Sequence, residues 1–250
     1  MSLKDKVMQL FGYKTIASSN NGSHSLTIRE NTITKEKEFL YNGNVYSRIK
    51  KDSVFTHSYW DYFLPLAYVF ERPKVLIIGL GGGTIPYQMN YFLKDKIDID
   101  IVEIYKDVIE IAKQFYPEIK ANIINADGYD YVSSANSAYD IIILDAYEGS
   151  SIPPKFLTKE FIELSYRALK ENGVLAINAI GSVFDRQFIK FEQDLSETFE
   201  IHTIYIPNVS NMVILCLKNM SKEMLLDRIG SRMPVSKENG FLIKSYRNLL

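Results

Sequence analysis

Covalent and metal cross-links have almost nothing to form from in this sequence. It holds one cysteine, Cys216, in 250 residues. That excludes a disulfide within these residues, fits a reducing compartment and leaves no cysteine cluster for zinc. The three histidines, His24, His57 and His202, are far apart, so no bound metal is expected. Charge of one sign is missing too: 29 Lys and Arg against 30 Asp and Glu give a net charge of -1, which offers no electrostatic footprint for nucleic acid. No apolar run approaches the ~20 residues that span a bilayer, and the first residues do not read as a secretory signal. A cytoplasmic protein with no membrane or nucleic-acid partner is the expectation. Tryptophan is scarce, but tyrosine is abundant at 17 and serves core, interface or pocket. Hydrophobic content of 46% and charged content of 24% are those of a globular protein. The length suits one domain with a small appendage.

The chain is organised around residues 74–84, Lys-Val-Leu-Ile-Ile-Gly-Leu-Gly-Gly-Gly-Thr. Val75 to Ile78 reads as a buried strand. It empties into Gly79, Gly81, Gly82 and Gly83, and a helix over 84–93 follows, with Thr84 expected to cap it and Pro86 tolerated in its first turn. Strand, glycine turn, helix lets backbone approach a nucleotide. A dinucleotide fingerprint would place glycine at 84, where Thr84 stands, so a nucleoside-type ligand fits better than a dinucleotide.

Upstream, residues 1–22 read as irregular after a short helical start. Three strand-like pieces follow at 25–29, 35–41 and 45–49, the last two joined by Asn42-Gly43-Asn44, a hairpin signal. Residues 1–52 are thus expected to form a small antiparallel sheet. A lone hairpin is marginal in water, so it should pack on the main domain or on a second subunit. Residues 53–70 are aromatic-rich and read as helical with a kink at Pro65. From Lys74 the pattern alternates: strands at 75–79, 98–104, 122–125, 139–145 and 174–179, helices at 84–93, 106–115, 129–133, 158–169 and 184–199. Asn172-Gly173 is read as the close of the fourth helix. A hairpin over 200–206 and 212–217 ends the series, and 221–250 reads as a charged, partly helical tail. This alternation predicts an α/β, doubly wound, mainly parallel sheet. With the terminal antiparallel hairpin it is the class I S-adenosylmethionine-dependent methyltransferase-like (Rossmann-like) pattern, spanning 53–250.

Ligands of open α/β sheets sit beyond the carboxyl ends of the strands. Glu103 ends the second strand, where a carboxylate can accept both hydroxyls of a ribose. Asp127-Gly128 follows the third, where Asp127 can accept from an adenine amino group. Asp145 follows the fourth. Each acid alone has a plain alternative as a helix N-cap or a loop residue; three in register with a glycine loop favour adenosine binding. Asp145 opens a loop that carries Glu148 three residues on. Two carboxylates beside a cationic sulfonium ligand point to an amine substrate, with one acid removing a proton from the attacking nitrogen.

These residues resemble the spermidine synthase family, whose members move an aminopropyl group from decarboxylated S-adenosylmethionine to a diamine. The resemblance runs over about 39–217. It includes Leu-Tyr-Asn-Gly-Asn-Val-Tyr-Ser at 40–47, His57, Val-Glu-Ile at 102–104, Ala-Asp-Gly at 126–128, Leu-Asp-Ala-Tyr at 144–147 and Phe-Leu-Thr-Lys-Glu-Phe at 156–161. It implies that Glu103 binds ribose, Asp127 adenine, and that Asp145 is the catalytic base. On an aminopropyltransferase reading Glu148 is an amine anchor, Tyr46, Tyr62 and Tyr147 are candidates to pack against the methylene chain, and His57 is a further substrate-binding candidate. A homodimer or homotetramer is also implied. The family's glycine loop carries an aspartate where this chain has Gly82. Its second loop acid is Glu148 without the following proline, its Tyr-His-Glu is Thr56-His57-Ser58, and its N-terminal glutamine is Tyr46. The pattern is closer to a divergent subgroup with a GLGGG loop. An acid at 82 would repel the carboxylate of intact S-adenosylmethionine; Gly82 removes that discrimination. Three readings follow: an aminopropyltransferase, which we favour; a methyltransferase using intact S-adenosylmethionine; and a non-catalytic nucleoside-binding protein.

Overall fold

The computed structural model describes residues 12–149, 151–180 and 186–249. An antiparallel sheet comes first: β1 (Tyr13–Asn20), β2 (Ser25–Asn31), β3 (Lys37–Tyr41) and β4 (Asn44–Ile49), in that spatial order. Asn42 and Gly43 both take positive φ, 47° and 84°, as a tight hairpin turn needs. β1 was not expected, because residues 1–22 read as irregular. Its side chains alternate between partly and fully exposed, with Ile16 at 48%, so no hydrophobic period marks it. Pairing with β2 makes it a strand. The short helical start lies outside the described residues.

The second sheet holds β5 (Lys74–Ile78), β6 (Asp98–Glu103), β7 (Asn122–Asn125), β8 (Tyr139–Leu144), β9 (Leu169–Ile180), β10 (Glu200–Tyr205) and β11 (Asn211–Leu217). Their spatial order is β10-β11-β9-β8-β5-β6-β7. β5 to β9 pair in parallel, and the β10–β11 hairpin joins antiparallel through β11. The helices are α1 (Thr84–Leu93), α2 (Lys106–Phe115), α3 (Gly128–Ser134), α4 (Lys159–Ala168), α5 (Arg186–Ser196), α6 (Lys222–Arg232) and α7 (Gly240–Arg247). The α/β class and the terminal hairpin are as the sequence predicts. β5 is buried on both faces: Val75 and Ile77 join one core, Leu76 and Ile78 the other. That is why it reads as a continuous apolar run. β5 lies between β6 and β8, where the strand order reverses, so the mouth of the fold opens there.

The N-terminal sheet packs on the same chain. Leu26, Ile28 and Phe39 bury against Val108, Ile111 and Phe115 of α2, and Ser47 Oγ accepts the Gly82 N–H at 2.8 Å.

Three local expectations are corrected. Residues 53–70 hold a 3-10 helix over Tyr59–Tyr68 with Pro65 inside it, while 53–58 are non-helical. Nearly all of that helix is buried, so no amphipathic period was available to fix its start. Buried Asp61 holds the preceding loop, accepting from Thr56 N and Oγ1, His57 N and Gln88 Nε2. The N-cap of α1 is Gly83, without a side-chain cap; the Thr84 hydroxyl instead accepts from Arg48 N at 3.4 Å. α4 ends at Ala168, and Asn172-Gly173 lies within β9, where the register against β8 slips. The expected helix over 184–199 is described from Arg186 to Ser196; residues 184 and 185 lie outside the described residues. No described helix is long and apolar enough to cross a membrane.

Candidate active site

The loop after β5 and the loop after β8 touch. Gly79 N donates to Val102 O at 2.9 Å, and Asp145 N to Ile78 O at 2.9 Å. Gly79 sits at φ +95°, and a Cβ there would lie 2.4 Å from the Asp145 carbonyl oxygen. Only glycine permits both the conformation and the approach, so this residue is what brings Asp145 beside the glycine loop. A cleft opens over the contact. Gly79, Gly81, Glu103, Gly128, Asp145 and Lys155 are among the residues lining it, with Tyr41, Tyr46, Tyr105, Tyr147 and Glu148.

Glu103, the last residue of β6, is 7% exposed. Its Oε2 accepts from Leu80 N at 3.0 Å and its Oε1 from Tyr105 N at 2.9 Å. Burial raises its pKa against the pull of these backbone donors. The Ile104 N–H bonds the carboxylate as well, which leaves lone-pair capacity for a hydroxyl at the cleft. Ile104 beside it is an apolar side chain left 50% exposed, lining the same cleft.

Asp145 follows β8 at the cleft. Asn178 Nδ2 donates to its Oδ1 at 2.7 Å, and the Tyr59 hydroxyl bonds it as well. Burial pushes its pKa up to about 7, while these two donors pull it down. A carboxylate poised there can take up and release a proton near neutrality. Asn178 is fully buried, accepts from Asn211 Nδ2 at 2.8 Å through its own side-chain oxygen, and takes the Tyr147 hydroxyl on its carbonyl at 2.7 Å. The Tyr46 hydroxyl donates to Gly149 O at 2.9 Å. Burial, then the charges of Asp145 and Glu103, push the Tyr46 pKa up to about 12. The Tyr59 and Tyr147 pKa values rise for the same reason, burial first. These phenols are therefore neutral, with oxygens that can accept from a cation.

The structure places the other expected residues as follows. Glu148 lines the cleft on an exposed turn closed by a two-way backbone bridge to Ser151. Asp127 N-caps α3 by accepting from Tyr129 N at 2.8 Å and pairs with Lys155 through Oδ2. Burial opposes its ionisation, but Lys155 and the N–H donors win and hold its pKa below the ordinary value. Gly82 and Gly83 back the loop and do not line the cleft. His57 and Tyr62 are not brought to it: His57 lies on Phe241, ring centroids 5.1 Å apart, and buried Tyr62 faces Phe241 and Ser245 of the C-terminal tail. Their chain neighbour Tyr59 reaches Asp145 instead. Sequence reasoning missed Asn178, Tyr59 and Lys155. A polar residue at the end of the apolar run Val174–Ile177 was a signal for Asn178; nothing local marked the others. No group of His, Cys, Asp and Glu among the described residues is arranged to hold a metal ion.

The family description for the spermine/spermidine synthase domain matches residues 62–227. The chain is similar to a polyamine aminopropyltransferase of Streptococcus uberis, 30% identical over 192 residues, covering 72% of this chain and 66% of that protein. A polyamine aminopropyltransferase of Clostridium botulinum is 31% identical over 185 residues, covering 69% of this chain and 58% of that one. The matched stretch thus spans 58–66% of these relatives' length. Among solved structures, a spermidine synthase in complex with the transition-state analogue AdoDATO superposes with a TM-score of 0.69 at 22% identity, over 93% of this chain and 84% of that one; this likeness supports the fold. Matched from β5 through β11, the chain belongs to the spermine/spermidine synthase family.

Proposed function

We propose that this protein is an aminopropyltransferase that moves an aminopropyl group from decarboxylated S-adenosylmethionine to a di- or polyamine such as putrescine. The observation that carries the reading is Asp145, a partly buried carboxylate poised at about 7 beside the glycine loop. A protonated amine has no lone pair, so it must lose a proton before it attacks. Asp145 accepts that proton. The nitrogen then forms a bond to the methylene on the sulfonium, the carbon–sulfur bond breaks, and its electron pair returns to sulfur as a neutral thioether. Glu103 holds the ribose hydroxyls, Asp127 the adenine amino group, and Gly79, Gly81 and Gly128 allow close approach. Tyr46, Tyr147 and Glu148 surround the amine. The relatives' names and the sulfonium-compatible acids support this assignment.

A second reading, methyl transfer from intact S-adenosylmethionine, is favoured by one observation: position 82 carries no acid. Incubation with each donor and a panel of di- and triamines separates the two by product mass. Methylthioadenosine with an elongated amine is the expected outcome. S-adenosylhomocysteine with a methylated amine would establish the second reading, and tight donor binding without turnover would leave a nucleoside-binding protein. Assembly as a homodimer or homotetramer belongs to the same proposal and is read by sedimentation.

A further inference from the structure

The loop after β8 carries a cation at the base end of the cleft. Lys155 sits in a 3-10 turn, Pro154–Phe156, that two consecutive prolines and a Phe156 N to Pro153 O bond of 2.9 Å hold rigid. Its carbonyl accepts the Thr158 hydroxyl at 3.1 Å, and Thr158 caps α4. The backbone is thus fixed on both sides. The side chain lines the cleft, its ammonium lies 5.2 Å from the Phe156 ring centroid, and it pairs with Asp127 Oδ2. Among the described residues Asp127 Oδ2 accepts a hydrogen bond from this ammonium. An ammonium has three N–H groups, so two are left to donate. Asp127 accepts from Tyr129 N, from the Asp130 backbone N–H and from Lys155, which leaves one of its four lone-pair sites for a further donor.

An ion pair with both partners partly exposed, 38% and 27% for these side chains, contributes little to stability. Lys155 lines the cleft and Asp127 adjoins Gly128, which lines it too, so the pair has more to offer recognition. A donor and an acceptor side by side match an edge that presents an N–H beside a ring nitrogen. The exposed apolar face of Ile104 and the ring of Phe156 line the same cleft and give a flat base something to lie against.

We propose that Lys155 and Asp127 read the amino edge of the adenine as a pair, Asp127 accepting from the amino group and Lys155 donating to the ring nitrogen beside it. This rests on the adenosine reading above. The nitrogen is N1 or N7, according to which side of the amino group Lys155 occupies. Lys155 therefore sets base specificity, and it is not a cation that merely covers Asp127.

The test is calorimetric titration of the full chain and of Lys155→Met with 5′-methylthioadenosine and with its 1-deaza and 7-deaza analogues. The native protein should bind one of the two analogues about tenfold more weakly than the parent, the loss of one charge-assisted hydrogen bond. Lys155→Met should bind the parent about tenfold more weakly and no longer distinguish that analogue. An unchanged melting temperature shows the variant is folded, and Lys155→Arg should recover part of the discrimination. Equal or tighter binding of the parent by Lys155→Met would overturn the inference and leave Lys155 as a displaced counter-ion. So would an equal loss for all three nucleosides. If the native protein binds none of the three, the adenosine reading falls and this inference with it.

Discussion

Asn178 donates from Nδ2 to Asp145 Oδ1 at 2.7 Å, and Asn211 decides which way round the Asn178 amide lies. By donating to Asn178 Oδ1 at 2.8 Å, Asn211 turns the NH2 group toward the carboxylate. Together with the Tyr59 hydroxyl this is what keeps a partly buried acid titrating near neutrality instead of higher. Asn178→Leu removes the donor at similar volume. The rising limb of the kcat/KM–pH profile should then move up by about one pH unit. Activity should fall five- to tenfold at pH 7 and recover by pH 9. A uniform loss at every pH would mean that Asn178 acts through packing alone.

Asp145→Asn should abolish turnover while leaving donor affinity, measured by titration, nearly intact. Equal loss of both would make its role binding. The same variant makes a stability prediction. Asp145 binds its proton more tightly in the folded protein, at about 7, than its ordinary value of 3.8. The folded state therefore keeps a proton that the unfolded chain releases between those values, and stability falls as pH rises through that window. Asparagine has no such dependence. Its melting temperature should exceed the native one at pH 8, and the difference should close below about pH 4.

Position 82 has no room for the acid that the family carries there. A Cβ on Gly82 would lie 2.5 Å from Ser47 Cβ and 3.0 Å from Phe115 Cδ1. Gly82→Asp alone should lower the melting temperature by several degrees, an overpacking cost of about 1–3 kcal/mol. Adding Ser47→Gly should recover part of it. In that double variant the carboxylate should shift donor preference toward the decarboxylated form, read by competition between the two donors. An unchanged preference would remove the electrostatic role of this position.

Glu103→Gln keeps shape but turns an NH2 group on one of the two backbone N–H groups, Leu80 N or Tyr105 N, that the carboxylate accepts. Donor affinity should drop by at least tenfold, with kcat at saturation changing far less. A matching fall in kcat would place Glu103 in the chemical step.

His57→Ala and Tyr62→Phe should leave kcat/KM within about twofold, since neither residue reaches the cleft; their contacts are with the C-terminal tail around Phe241. A larger kinetic effect, at unchanged melting temperature, would return them to the site.

Local sequence determined the scaffold of this protein. The buried run Val75–Ile78 emptying into Gly79, and acids at the ends of β6 and β8, were legible because strand burial, glycine turns and strand-end polarity are properties of short windows. So was the Asn42-Gly43 hairpin. β1 was not, because an edge strand pairs its backbone without burying one face. The 3-10 helix over Tyr59–Tyr68 was misread because burial on all sides erases periodicity. The partners of the chemistry were decided only by tertiary structure. Asn178 lies 33 residues from Asp145 and Lys155 28 from Asp127, distances at which no spacing rule operates. Whether Asp145 ionises near pH 7, and whether Ser47 fills the space beside Gly82, depends on which loops the sheet order brings together. Sequence fixes a residue's type and its place on a strand; the fold sets its dielectric surroundings and its neighbours, and these set the chemistry.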